Sequence, residues 1–476
     1  MALTEAGNWM PVLVGIRMKD GVNMLSRKQI DATQGALLPQ ILRYSIPVLL
    51  STLVQNLFSS IDIAVLGNFA NTSAVASMGA TSSVNKVLIY LFTGIATGAG
   101  VVLARAIGAR DTDKARRIVD TSMIFAFIGG LCLAVVGWIL APFIMKWTGC
   151  PADCYDGAVL YIRIYLSAAP AILLQNFGCT ILNTSGNTQS PLYFMLIGGT
   201  MKVVLNILLC LALPNKVLAV ALATAASQIL WAVLAVRRLC SGRDSVQLHL
   251  RELRFDTGVL KQLLAQGIPV SLYQILFPLS DLQIQSAVNS FGSVVVAANS
   301  AASSVESIVY AFVVSLGSAC RVFVGQNLGA EKPDRVRRSI ATCIGINLVV
   351  TSLLGISFYA SGHFWLNLLL PDSPASIEFA MIRMGFLTRN YVICGINGIL
   401  GPALQAFGYS TLNSLNSILF VLVFRVGWMT FVYPRYQSYT CLIACFIVSW
   451  FLLMVTNVTM NLIVLRRYRK GIYRRL

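Results

Sequence analysis

One acidic residue lies inside an apolar stretch near the start of the chain. Asp62 belongs to VQNLFSSIDIAVLG, and Gln55, Ser59 and Asp62 stand at i, i+4 and i+7, so they share one face of a helix. A carboxylate in low-dielectric surroundings has its charged form disfavoured and tends to hold a proton. Asp62 could therefore exchange a proton, or Na⁺, for a cationic solute. A structural role, as a capped or water-bridged acid near a helix end, is the alternative.

The second half of the chain carries a similar polar face. Gln274 and Asp281 repeat the spacing of Gln55 and Asp62, and Gln285 continues the face by one turn. Pro278 removes a backbone hydrogen bond beside the acid and can kink the helix. We predict that these side chains line a polar cavity, although a structural role for Asp281 stays equally open.

Two further charged residues suggest a gate. Lys86 and Glu306 occupy nearly equivalent places in the two halves, in stretches that are otherwise apolar or small. An ion pair between them would close the outer side of a cavity. The alternative for Lys86 is to extend its amine to the membrane interface.

Composition indicates a membrane protein. The 476 residues are 57% hydrophobic and only 11% charged, against roughly 25% charged in soluble proteins. A bilayer core requires about 20 apolar residues per helix. A single soluble domain is therefore excluded, and we predict an all-α polytopic membrane protein with twelve transmembrane helices. Their predicted ranges are 46–70, 83–106, 118–145, 158–182, 191–213, 217–236, 265–290, 303–326, 339–369, 379–405, 411–433 and 439–464.

The basic residues predict the orientation. The 36 Lys and Arg against 18 Asp and Glu give a formal charge of +18, and most of the cations fall in alternate loops. The positive-inside rule then places both termini in the cytoplasm of a bacterial cell, with the chain integral to the plasma (inner) membrane. The charge reflects topology, so we expect no nucleic-acid partner. Met24 is an alternative start to Met1.

An internal repeat divides the chain. SIPV at 45–48 recurs as GIPV at 267–270, AIGARDTDKARR at 106–117 as NLGAEKPDRVRR at 327–338, and LNTSGNTQSPL at 182–192 as LQAFGYSTLNS at 404–414. Two six-helix halves in parallel topology predict pseudo-symmetric lobes with a central cavity, as in secondary transporters. The predicted parts are a cytoplasmic segment 1–43, an N-lobe 44–237, a linker 238–264, a C-lobe 265–465 and a basic tail 466–476.

Several kinds of chemistry have no visible signature. The chain has no P-loop, no H-E-x-x-H and no G-x-S-x-G, and it contains only two His. We therefore expect neither an enzyme nor a cofactor. Cys150 and Cys154 flank a short loop, and we expect free thiols there, with a disulfide as the alternative.

These motifs together resemble the multidrug and toxic compound extrusion (MATE) family. The similar segments are 31–70, with its Pro and later Asp, 91–111, 315–332 and the two repeated turns. The resemblance implies two lobes around a V-shaped cavity, alternating access, and export of organic cations against H⁺ or Na⁺, with Asp62 as the coupling residue.

Further residues follow from that resemblance. Asn206 and Thr224 match polar positions that would work with Asp62, which could also hold Na⁺, although a helix Thr often bonds its own backbone instead. The chain departs from the family at Cys210, where some branches have a second acid. It also departs at Phe277 and Ile396, where the Na⁺-type branch has acids. The coupling ion therefore stays open.

We accordingly predict a secondary antiporter for small organic cations or xenobiotics, surrounded by membrane lipid and acting as a monomer. A lipid-linked saccharide flippase of the same superfamily is the first alternative. A basic cavity lined by Lys86, Arg321 or Arg425 would favour it. A non-transporting membrane receptor or scaffold is the alternative from another class.

Overall fold

The structure is a computed structural model that describes residues 29–471 apart from 70–71, 149, 152–153, 243 and 372. The side chains at 62–64, 66–69, 72–76, 79–80, 82–83 and 86 also lie outside the description. The question of Met1 or Met24 as the start, the segment 1–28 and the last residues of the tail therefore fall outside the described part.

Twelve helical segments follow one another in the described residues, and the predicted all-α fold with twelve helices is confirmed. They are α1 Leu37–Phe69, α2 Thr72–Gly108, α3 Thr112–Trp147, α4 Tyr155–Ser167 continued by Ala169–Thr184, α5 Gln189–Ala212, α6 Lys216–Cys240, α7 Thr257–Asn289, α8 Ser293–Gly329, α9 Pro333–Ala360 extended by Gly362–Leu369, α10 Pro374–Ala406, α11 Ser410–Arg435 and α12 Tyr439–Arg469.

Ten of these described helices are long and apolar enough to span a membrane, and α4 is an eleventh if its two halves form one span. The remaining helix, α10, carries Arg383 and Arg389 in its middle. Large apolar side chains on the outer surface, such as Phe143 and Phe431, are exposed, as expected of a surface in contact with lipid.

Two helices depart from regular geometry. The halves of α4 meet at an angle of 51° around Ala168, where Pro170 follows in the first turn of the second half. Helix α11 contains two π-helical stretches, Ile418–Val423 and Trp428–Val432, which flank a single α-helical turn at Phe424–Gly427. Such π-helical stretches are frequent at functional sites.

Helices α1–α6 form one lobe and α7–α12 the other, and their apolar cores are partly shared, since the N-lobe core includes the first turns of α7 and the C-lobe core includes the first turns of α1. The N-lobe core includes Ile118, Phe177 and Leu239, and the outer part of the C-lobe core includes Val309 and Leu442. Contacts between the lobes run through α2 with α7, α2 with α8, and α1 with α8. Helices α2, α7 and α8 therefore form the axis on which the two lobes meet.

The two cysteines of the loop before α4 lie side by side. The Sγ atoms of Cys150 and Cys154 are 3.6 Å apart as thiols. The Ser77 hydroxyl of α2 donates to the Cys154 carbonyl at 3.1 Å, which fixes the loop against the end of α2.

Candidate functional site

The polar face of α1 is open along its outer half. Gln55 and Ser59 are exposed, and the Ser59 hydroxyl donates to the Gln55 carbonyl at 3.0 Å. The Phe58 ring packs against α5 at Gly199, where a Cβ atom would come within 2.1 Å of the ring. This contact fixes the outer half of α1 over α5. The backbone of Asp62 continues the same helix, but its side chain lies outside the described residues.

The two other predicted coupling residues are buried in the N-lobe. Asn206 of α5 is fully buried, and Thr224 of α6 is 4% exposed. The Thr224 hydroxyl has no hydrogen-bond partner among the described residues, while its carbonyl accepts from the Ser227 hydroxyl at 2.8 Å. Thr224 therefore does not make the backbone hydrogen bond that would explain a structural Thr. Its hydroxyl remains available to a further group.

Glu306 of α8 is bound to an arginine within its own lobe. Both of its carboxylate oxygens accept from Arg383 of α10, at 3.0 and 2.8 Å, and both side chains are buried. Arg383 also donates to Asn299 at 2.5 Å, and the Asn299 amide donates to Gln285 at 3.1 Å. A gate between Glu306 and Lys86 would require Glu306 to leave these partners. The Lys86 side chain lies outside the described residues.

Asp281 of α7 faces a different arginine, which the spacing of the sequence does not reveal. Its carboxylate lies 3.4 Å from Arg425 of α11, and the side chains are 48% and 1% exposed respectively. Arg425 also donates to the Ser449 hydroxyl at 3.1 Å, and its guanidinium lies 4.5 Å from the centre of the Phe446 ring. Because Arg425 lies within an apolar helix, its sequence context indicates that it needs a carboxylate partner. Only the structure shows that this partner is Asp281.

The polar side chains predicted to line the C-lobe cavity do not all group together. Gln285 belongs to the chain of hydrogen bonds around Arg383, and Asp281 belongs to the pair with Arg425. Gln274, two turns before Asp281, is partly exposed. The side chains of the predicted face therefore have two different surroundings. Gln285 lies in a buried hydrogen-bond network, whereas the Asp281 carboxylate is about half exposed.

At the end of the molecule that carries the basic loops, here called the basic end, the lobes are joined by equivalent contacts. Arg105 of α2 donates to the Ala406 carbonyl at the end of α10, at 3.0 and 2.7 Å. Gln326 of α8, its partner in the repeat, donates to the Thr184 carbonyl at the end of α4, at 2.8 Å. Each lobe thus reaches the last turn of a helix in the other.

Backbone packing makes this joint tight. A Cβ atom on Gly108 would lie 1.9 Å from the Gln326 carbonyl oxygen, and one on Gly329 would lie 2.0 Å from that of Arg105. Only glycine permits helices α2 and α8 to approach so closely. Gly108 and Gly329 belong to the motifs that repeat at 106–117 and 327–338. These motifs therefore contribute to the contact between the lobes, and the repeat alone did not indicate this role.

Two non-helical segments reinforce the basic end. Before α1, the carbonyls of residues 32–35 accept from Asn327, Lys332 and Arg335 of the C-lobe, and the Ala32 amide donates to Gln326 at 3.2 Å. Before α7, in the corresponding place, Glu252 bonds Arg116 of α3 at 2.8 Å. The segment before each lobe is thus held by the opposite lobe.

Among the described residues, no group of three or more His, Cys, Asp or Glu is placed to hold a metal ion. The two lobes contact each other at the basic end, and polar and acidic side chains lie along the helices beyond this contact. Such an arrangement defines a helical membrane transporter with two repeated lobes.

Comparison with known proteins identifies the family. The sequence profile of the MatE family matches residues 47–210 and 269–428, and the chain belongs to this family of transporters. It is 27% identical over 372 residues to the probable multidrug resistance protein YoeA of Bacillus subtilis, covering 77% of this chain and 80% of YoeA. It is also 25% identical over 376 residues to a FAD transporter of Shewanella oneidensis, covering 77% of this chain and 82% of that protein.

A solved structure supports the fold. The outward-facing conformation of a multidrug resistance MATE family transporter superposes with a TM-score of 0.83 at 20% identity, covering 94% of this chain and 99% of that one. The predicted layout of two six-helix lobes agrees with this likeness. The chain is therefore an integral membrane transporter of the MATE type.

Proposed function

We propose that this transporter is a secondary antiporter that exports organic cations in exchange for H⁺ or Na⁺. Alternating access requires lobes that close at one end of the molecule while they open at the other. The observation that carries the proposal is the joint at the basic end, together with the open polar face of α1 beyond it. By the positive-inside rule, the basic end is cytoplasmic and the present form faces outward.

Charge within the bundle favours cations as cargo. Arg383 and Arg425 are buried and each faces a carboxylate, whereas Asp281 keeps much of its surface open. Arg321 is partly buried and donates to Gln405 at 3.1 Å. A pyrophosphate or a flavin nucleotide would need cations without partners on the cavity wall. Among the described residues, the pairing of Arg383 and Arg425 with carboxylates therefore supports organic cations over the lipid-linked saccharide and over the cargo named for the Shewanella relative.

The coupling site is assigned to Asp62 with Asn206 and Thr224. The buried Thr224 hydroxyl, which has no partner among the described residues, supports this assignment because a buried polar group is costly unless it is bonded. A proton or Na⁺ bound at Asp62 would neutralise the carboxylate and favour release of the cargo cation. The protein would act as a monomer, in which the N-lobe 44–237 and the C-lobe 265–465 move relative to each other and are joined by the linker 238–264.

The proposal is tested by ethidium transport in proteoliposomes under an imposed pH or Na⁺ gradient. We expect one gradient to drive transport by the wild type and Asp62→Asn to abolish it. Asp113→Asn, the same change at an exposed acid in the first turn of α3, is the matched control and should transport normally. Absence of wild-type transport under both gradients would contradict the export of organic cations.

A further inference from the structure

Two buried arginines in the C-lobe approach the same ring but differ in how completely they are bonded. The guanidinium groups of Arg425 and Arg383 lie 4.5 and 5.7 Å from the centre of Phe446. Arg383 engages both oxygens of Glu306. Arg425 makes one contact of 3.4 Å with Asp281, which is long for a charge-assisted hydrogen bond. The weakly held pair is therefore the one able to change partners.

Arg425 is fixed largely without Asp281. It lies in the single α-helical turn between the two π-helical stretches of α11, with the Ser449 hydroxyl and the Phe446 ring against it. Its side chain is 1% exposed. A change at Asp281 would therefore leave the guanidinium in place, since its remaining contacts come from α12.

Asp281 shares one face of α7 with residues that pack inside the C-lobe. Ile284 and Val288, which share its face of α7, are buried in the lobe core, and Gln285 is bonded to Asn299 of α8. The same face thus points toward the interior of the lobe rather than toward lipid. Asp281 lies on this inward face and is 48% exposed.

Aromatic side chains lie on α7 and α8 in the neighbourhood of this carboxylate. Tyr273 and Phe277 precede it on α7 with their ring centres 6.1 Å apart, and Tyr310 of α8 is 46% exposed and lies within electrostatic reach of Asp281. Aromatic rings attract organic cations by their faces, and a carboxylate supplies the opposite charge.

We propose that Asp281 binds the cationic group of the exported molecule, and that Arg425 is a resident counter-cation which this molecule replaces as the partner of Asp281. The assignment rests on the proposed function and adds a cargo site separate from the coupling site at Asp62. Because Arg425 repels the incoming charge, a cargo molecule must also gain energy from the aromatic rings. The site therefore selects aromatic cations over small aliphatic ones.

The test is equilibrium binding of ethidium to the purified protein, measured by fluorescence anisotropy at one pH without a gradient. We expect Asp281→Asn to weaken binding roughly tenfold, the loss of one charge-assisted contact. Arg425→Gln should tighten binding because the competing cation is removed. Asp113→Asn is the matched control and should bind like the wild type, and tetramethylammonium should not displace ethidium.

The outcomes separate this site from the function on which it rests. Unchanged ethidium binding by Asp281→Asn would overturn the site, as would weaker binding by Arg425→Gln. If Asp281→Asn does not fold, Asp281→Asn/Arg425→Gln removes both charges and should fold but bind weakly, and tight binding by it would overturn the site. A wild type that transports ethidium while Asp281→Asn binds it normally contradicts only the site. A wild type that does not bind ethidium contradicts both proposals.

Discussion

At the scale of single residues, the buried charges of the C-lobe determine how it responds to substitution. Removing one member of a buried ion pair leaves the other charge in low-dielectric surroundings, which costs more than losing the pair altogether. Glu306 and Arg383 form such a pair, and Asn299 completes the bonding of the guanidinium. The contacts indicate that this network holds α8 against α10.

We predict that Glu306→Gln lowers the free energy of unfolding by about 3 kcal/mol, because Arg383 would remain buried without its carboxylate. The measurement is chemical or thermal unfolding of the detergent-solubilised protein. Glu306→Leu/Arg383→Met should be less destabilised than Glu306→Gln alone. Glu378→Gln, at an exposed acid on α10, is the control. Equal stability of Glu306→Gln and Glu378→Gln would contradict a structural role for the pair.

At the scale of elements, α7 begins at a carboxylate cap. Asp256 accepts from the amides of Gly258 and Val259 at 2.9 and 3.0 Å, and Arg117 of α3 lies 3.5 Å away. The hydrogen bond from Val259 lowers the pKa of Asp256, and so do the amide of Gly258 and the charge of Arg117. The cap therefore depends on the ionised carboxylate.

The sign of this pKa shift gives a pH dependence. A lowered pKa means that the cap stabilises the start of α7 above the ordinary Asp pKa of about 4, and that this contribution is lost as the pH falls through the folded value. We predict that the Gly258 and Val259 amides lose hydrogen-exchange protection below that range. Asp256→Asn, which can still cap, should retain protection without the pH dependence, and Asp256→Ala should lose it at every pH. Protection in Asp256→Ala equal to that of the wild type would refute the cap.

At the scale of the whole molecule, closure at the basic end depends on contacts that both lobes supply. Arg105 and Gln326 each reach the last turn of a helix in the other lobe, and Gly108 and Gly329 allow the backbones to meet. Because the two halves contribute equivalent groups, opening this end must break both sets of contacts.

We predict that Gly108→Ala shifts the transporter away from closure at the basic end. The added methyl group would lie 1.9 Å from the Gln326 carbonyl oxygen, so the helices must separate. The Ala32 amide, which donates to Gln326, should then exchange its hydrogen about tenfold faster, given an overpacking cost of roughly 1–3 kcal/mol. Gly345→Ala on α9, where a Cβ atom has open space, is the matched control. Identical exchange in the two variants would rule out this contact as the closure point.

The sequence alone determined the helices and their grouping. A helix that crosses a bilayer needs about 20 consecutive apolar residues, and a run of this length can be recognised directly in the sequence. The recurrence of SIPV as GIPV and of the motif after α2 showed two equivalent halves. These features predict the all-α fold with twelve helices, and the resemblance of its motifs indicates the MATE family.

Only the tertiary structure decided which charged groups meet. Arg383 and Glu306 are 77 residues apart, and Arg425 and Asp281 are 144 apart, so helical periodicity relates neither pair. Periodicity fixes which side chains share one face of one helix, whereas partners on different helices depend on how the helices pack. The spacing of the sequence therefore predicts neither the pairing of Glu306 with Arg383 nor the partner of Asp281, and the gate between Glu306 and Lys86 stays a prediction. The coupling role of Asp62 stays a prediction, with ethidium transport as its test.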